Sequence, residues 1–160
     1  HEESVELLDE LGDYGYHTTV ETNGTIYRDA QIDLASISPK LASSAPTPER
    51  DPKGDEWADR HEDRRIDMDA LSELVDSYDS QLKFVVTGGG DLPEIEDLVE
   101  RIREASETTI PDDDVLLMPE GMTREELDVK RNEVAELAME YGYRYTPRLH
   151  VDLWNDAPGT

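Results

Sequence analysis

Three features of the sequence predict an α/β fold on a mostly parallel sheet. Helical and β-rich segments alternate along most of the chain. The β-rich segments are near-continuous apolar runs, as strands covered on both faces require. Glycine, proline and Asn-Gly punctuate the joins between segments.

From Glu3 to Leu11 the apolar residues Val5, Leu7, Leu8 and Leu11 fall at helical spacing, and Gly12 and Gly15 end the helix. His17 to Thr22 is β-rich and stops at the turn dipeptide Asn23-Gly24. Ile32 to Ser38 predicts a second strand, closed by Pro39. The segment 43–65 carries Pro46, Pro48, Pro52 and Gly54 without periodicity, which predicts a long flexible surface loop. Met68 to Tyr78 is helical, with Leu71, Leu74, Val75 and Tyr78 on one face. Leu82 to Thr87 is an apolar strand followed by Gly88-Gly89-Gly90, taken as a flexible loop. Pro93 suits a first helical turn, and Ile95, Leu98, Val99 and Ile102 form the stripe that runs to Ser106. Val115 to Met118 is a short buried strand ending at Pro119-Glu120-Gly121. Thr123 and Glu126 have capping-box spacing, and the helix they open runs to about Tyr141, where Gly142 caps it. Tyr143 to Trp154 alternates in part and is expected to be the last strand.

Its 160 residues suit one domain, or most of one. Hydrophobic residues are 36% of the chain, below the usual figure of about 45–50%, but their clustering argues for a core. Forty acidic residues against 15 basic ones leave a net charge of −25, which disfavours a nucleic-acid surface. Of the basic residues only Lys40, Lys53, Lys83 and Lys130 are lysines. Acid excess with little lysine fits adaptation to high salt; a solubilising acidic surface is the plainer alternative. With no cysteine, disulfides, zinc thiolates and cysteine-ligated clusters are excluded within these residues. No apolar run approaches the ~20 residues of a membrane span and no signal-peptide pattern appears, so the cytoplasm is the expected compartment. The chain opens at His1, on a helix with no strand before it, so strands are expected upstream.

In parallel α/β folds ligand sites collect beyond the C-terminal ends of the strands. Polar residues recur there: Glu21 to Thr25, Ser36 to Lys40, Thr87 to Gly89, and Met118 to Gly121, with Lys83, Arg148 and His150 on strands. Each has a plain alternative. Asn23-Gly24 is a common turn. Gly88-Gly89-Gly90 is no dinucleotide fingerprint, because Pro93 stands where a glycine is needed. His150 sits between Leu149 and Val151 and suits a core histidine, while His17 and His61 suit structural or solvated positions. Asp112-Asp113-Asp114 lacks calcium-loop spacing and suits a solvated turn.

Five motifs in register carry more than any one. Glu-Thr-Asn-Gly-Thr at 21–25, Ile-Ser-Pro-Lys-Leu at 37–41, Leu-Lys-Phe-Val-Val at 82–86, Leu-Met-Pro-Glu-Gly at 117–121 and Pro-Arg-Leu-His-Val at 147–151 follow the order and approximate spacing of one family. The chain resembles the 7-carboxy-7-deazaguanine synthase family of radical S-adenosylmethionine enzymes, over nearly all its length. The resemblance implies a partial (βα) barrel of the radical-SAM type, here lacking its N-terminal strands. It implies a carbon–nitrogen lyase that converts 6-carboxy-5,6,7,8-tetrahydropterin to 7-carboxy-7-deazaguanine with loss of ammonia, a precursor of the tRNA bases queuosine and archaeosine. A radical cleaved from S-adenosylmethionine by a [4Fe–4S] cluster starts the reaction. The family's CxxxCxxC loop, Gly-Gly-Glu-Pro motif and magnesium ligand are absent from the chain, so this segment is expected to hold no cluster and to be inactive alone.

By the same resemblance Glu21, Asn23, Ser38, Pro39, Lys40, Met118, Pro119, Glu120 and Gly121 are expected to contact S-adenosylmethionine. His150 is expected to contact the pterin, with its ring turned toward the barrel axis. Lys83 and Arg148 are cations that suit the substrate carboxylate. A homodimer and an electron donor such as ferredoxin or flavodoxin are the expected partners, with no nucleic acid or membrane. Alternatives are another radical S-adenosylmethionine activity and a non-catalytic acidic α/β ligand-binding domain.

Overall fold

The computed structural model describes residues 2–44, 65–155 and 157. Most of the loop expected over 43–65 therefore lies outside the described residues. Helix α1 (Glu2–Asp13) precedes strands β1 (Thr19–Thr22) and β2 (Leu34–Ile37). Then come α2 (Met68–Ser77), β3 (Ser80–Val86), α3 (Leu92–Ala105), β4 (Val115–Pro119) and α4 (Arg124–Tyr141). The two-residue β5 (Arg144–Tyr145) and α5 (Leu149–Trp154) close the chain. The five strands form one sheet in the order β1-β2-β3-β4-β5, and every pairing is parallel. Strands laid down in sequence with crossovers of one hand carry their helices on one face. Accordingly α2 packs on α3, and α4 covers β4.

The strand alternation separates two surfaces. In β3, Leu82, Phe84 and Val86 are buried, whereas Lys83 and Val85 between them are half-buried. The buried set joins Ala35, Ile37, Val115 and Leu117 from neighbouring strands and the helix stripes of Leu71, Ile95 and Val134 in one core. Lys83 and Val85 point to the face the helices leave open.

Local chemistry explains the helix boundaries. The Asp67 carboxylate accepts from the Ala70 N–H at 3.0 Å and caps α2. Thr123 and Glu126 form the full capping box that opens α4. Gly142 ends α4 with φ 73°, a left-handed turn that costs glycine little. Asp33 ties the starts of β1 and β2, accepting from the Thr18 N–H at 2.6 Å and its hydroxyl at 3.2 Å.

The structure corrects two expectations. The last strand does not extend from Tyr143 to Trp154. Pairing stops at Tyr145, one further sheet-edge bond runs from the Thr146 N–H to the Leu117 carbonyl, and Pro147 follows. Proline has no N–H to continue a ladder. Beyond it the chain coils into α5, whose last carbonyls are met by another helix: the Arg124 guanidinium donates to Asp152 O at 2.9 Å and Leu153 O at 2.7 Å. The triple glycine is also not a flexible loop. Gly89–Asp91 is a 3₁₀ turn, in which the Asp91 carboxylate accepts from the Thr87 N–H and hydroxyl at 2.7 and 2.9 Å. Glu133 braces it from α4 by accepting the Gly89 N–H at 3.1 Å.

Candidate functional site

Parallel strands deliver all their C-terminal ends to one edge of the sheet, and a cleft of about 310 Å³ opens there. Glu21, Thr22 and Asn23 reach it from β1, Ser38 and Lys40 from the loop after β2, Lys83 and Val85 from β3, Met118 from β4, and Arg148 from beyond β5. Residues spread over 128 positions of sequence, Glu21 to Arg148 inclusive, thus line a single cavity.

Within it the Lys83 ammonium donates to Glu21 Oε1 at 2.7 Å. The lysine side chain is 14% exposed and the glutamate 73%, so the pair runs from the floor of the cleft to its mouth. Asn23 spends its side-chain oxygen on its own turn, accepting from the Thr25 N–H at 3.2 Å and hydroxyl at 2.9 Å. Gly24 makes that turn possible. Its φ is 78°, and a Cβ there would stand 2.3 Å from a Leu71 methyl. Among the described residues, Arg148 Nε is shut off from solvent and has no hydrogen-bond partner.

The other expected site residues lie apart. Pro39 and Pro119 are buried and do not line the cleft. Glu120 pairs with the Lys130 ammonium of α4, and its own N–H donates to the Val86 carbonyl at 2.9 Å. Gly121 packs on Leu127, with room for no side chain, since a Cβ would lie 2.8 Å from a leucine methyl. Of the 118–121 stretch only Met118 lines the cavity. His150 is the second residue of α5, exposed, and not among the lining residues. The orientation expected for it depended on a strand, and residues 149–151 are helical. Thr22, within the polar stretch 21–25, and Val85 line the cleft without having been assigned a ligand contact; strand alternation from Lys83 was the available signal for Val85. The aspartates 112–114 form a 3₁₀ turn with ion pairs to Arg103 at 2.7 Å and Arg144 at 3.5 Å. Among the described residues no group of three or more His, Asp or Glu side chains is arranged to hold a metal ion, and no helix is long and apolar enough to cross a membrane.

No protein-family model matches the chain, and no solved structure matches it. Two curated proteins do. A 7-carboxy-7-deazaguanine synthase of Halobacterium salinarum is 69% identical over 161 residues, covering all of this chain and 63% of that protein. One of Rhodopirellula baltica is 36% identical over 157 residues, covering 98% of this chain and 58% of that protein. The resemblance first carried by five motifs is thus shown along the whole chain, which is similar in sequence to 7-carboxy-7-deazaguanine synthases and spans 63% and 58% of the length of these two relatives.

Proposed function

We propose that this chain is part of a radical S-adenosylmethionine lyase that converts 6-carboxy-5,6,7,8-tetrahydropterin to 7-carboxy-7-deazaguanine, on a partial βα barrel to which its parallel sheet belongs. The observation that carries the proposal is one cleft at the strand ends, lined by seven of the expected site residues (Glu21, Asn23, Ser38, Lys40, Lys83, Met118 and Arg148), in a chain 69% identical to a named synthase.

The lining suits the cofactor. The Glu21 carboxylate is an acceptor for ribose hydroxyls or ring N–H groups. The Ser38 hydroxyl both donates and accepts, and Met118 and Val85 give an apolar wall for a flat ring. When bound, S-adenosylmethionine supplies hydrogen-abstracting radical chemistry. The chain's own residues orient cofactor and substrate and limit water's access to them. A chain without cysteine offers no thiolate for an iron–sulfur cluster.

Isothermal titration of S-adenosylmethionine into the 160-residue chain tests the proposal. Wild type should bind, and Glu21→Gln and Ser38→Ala should each weaken binding by about tenfold. Heats of dilution alone, with wild type and both variants indistinguishable, would overturn it.

A further inference from the structure

Lys83 and Arg148 both bring positive charge to the cleft, and their surroundings differ. The Lys83 ammonium is already matched by Glu21 at 2.7 Å. Arg148 has no ion pair among the described residues, and its Nε–H is enclosed without an acceptor. Enclosing a donor of a charged group without a partner carries its desolvation cost undiminished, a cost that an acceptor on the guanidinium would offset. The guanidinium fork matches two carboxylate oxygens at once, which an ammonium does not.

Charge points the same way. The chain has net charge −25, yet Lys40, Lys83 and Arg148 line this cleft, with Glu21 as its one acidic lining residue. Two of the four lysines in the chain line this one cavity. Position adds direction. Glu21 lies next to the end of the strand at one edge of the sheet, and Arg148 follows the strand at the other. The two groups therefore address opposite ends of the cleft.

We infer that Arg148, backed by Lys40, is the hook for a carboxylate on the bound molecule. Lys83 is instead a positioning residue that holds the Glu21 carboxylate toward the other end. The ligand class is an elongated molecule with a carboxylate at one end and N–H or O–H donors at the other. The inference rests on the proposed function for the choice of probes. Both the pterin acid and the methionine end of the cofactor supply such a carboxylate, and the experiment separates them.

Four probes are titrated into the 160-residue chain: 6-carboxypterin against pterin, and S-adenosylmethionine against its decarboxylated form. Wild type should prefer the carboxylated member of at least one pair by about 10- to 100-fold. Arg148→Met should abolish that preference, and Arg148→Lys should restore part of it, with circular dichroism showing the fold retained. The pair whose preference collapses names the source of the carboxylate. Lys83→Met should weaken both members of the pair alike and leave their ratio intact, a result that a carboxylate-binding lysine would not give. Binding without carboxylate preference, or a preference that survives Arg148→Met, overturns the inference while the proposed function stands. Failure of wild type to bind all four probes overturns both.

Discussion

Lys83 Nζ lies 2.7 Å from Glu21 Oε1, although strand β2 runs between their two strands. Strands are spaced about 4.8 Å apart, so the two side chains together bridge roughly 10 Å of sheet. Between the two strands stand Ser36 of β2 and, just past its end, Ser38, the smallest polar side chains. Ser36 is held by the Gln81 amide at 3.0 Å and stays low. The pair is thus a product of sheet register and of small residues along the intervening strand.

A double-mutant cycle with Lys83→Met and Glu21→Gln should show little coupling in stability. Glu21 is largely exposed, and exposed pairs contribute about 0.2–1 kcal/mol. The same cycle read on S-adenosylmethionine affinity should show coupling above that range, because Lys83 acts through Glu21. Equal coupling in both measurements would make the pair a structural feature only.

Gly24→Ala should destabilise the chain by more than the ~1 kcal/mol that the same change gains where the backbone is compatible with alanine. The φ of 78° disfavours a side chain, and the new methyl would collide with Leu71 and Ile37. Urea denaturation checks this. A midpoint within error of wild type would show that the loop relaxes without cost.

Stability should fall in acid. The backbone N–H of Thr18, opposed by burial and helped by the Thr18 hydroxyl and His17, holds Asp33 below its ordinary 3.8. The Met122 N–H does the same for Glu126, below 4.5. A carboxylate with a lowered folded pKa favours the native state above its unfolded pKa, and this contribution disappears as pH falls through the folded value. The loss should therefore begin near pH 4 to 5 and continue below it. Asp33→Asn should flatten the acid limb of a plot of urea midpoint against pH. An unchanged limb would remove Asp33 from the account.

Salt should stabilise the chain. A net charge of −25 opposes compaction at low ionic strength. At 1 M salt the Debye length falls to about 3 Å and the repulsion is screened. Thermal midpoints by circular dichroism should rise across a KCl series. A midpoint indifferent to KCl would leave the acidic surface as a solubility feature and end the high-salt interpretation.

Anaerobic reconstitution with iron and sulfide should leave the 160-residue chain without a cluster, since it offers no thiolate ligand. Iron and sulfide analysis with visible absorbance is the check. Stoichiometric binding of both would demand ligands of another kind.

Local sequence determined most of the frame. The capping box at Thr123 and Glu126, the left-handed Gly142 and the apolar stripe of α3 are short-range signals, and each element appears where its signal stands. Apolar strands separated by helices required a parallel sheet, and a parallel sheet required that Glu21, Ser38, Lys83 and Met118 meet at one end. What local pattern did not contain, tertiary structure decided. Residues 149–154 alternate well enough for a strand, yet Pro147 cuts the ladder and Arg124, far away in sequence, binds the carbonyls that a helix there leaves open. That choice moved His150 out to solvent and left Arg148 on the cleft. Likewise the sequence presented Lys83 and Arg148 as equivalent cations. Only the tertiary structure tells them apart: the register of three strands sets Lys83 beside Glu21, and the turn beyond β5 leaves Arg148 Nε unmatched, because an ion pair depends on distance in space and not on spacing along the chain.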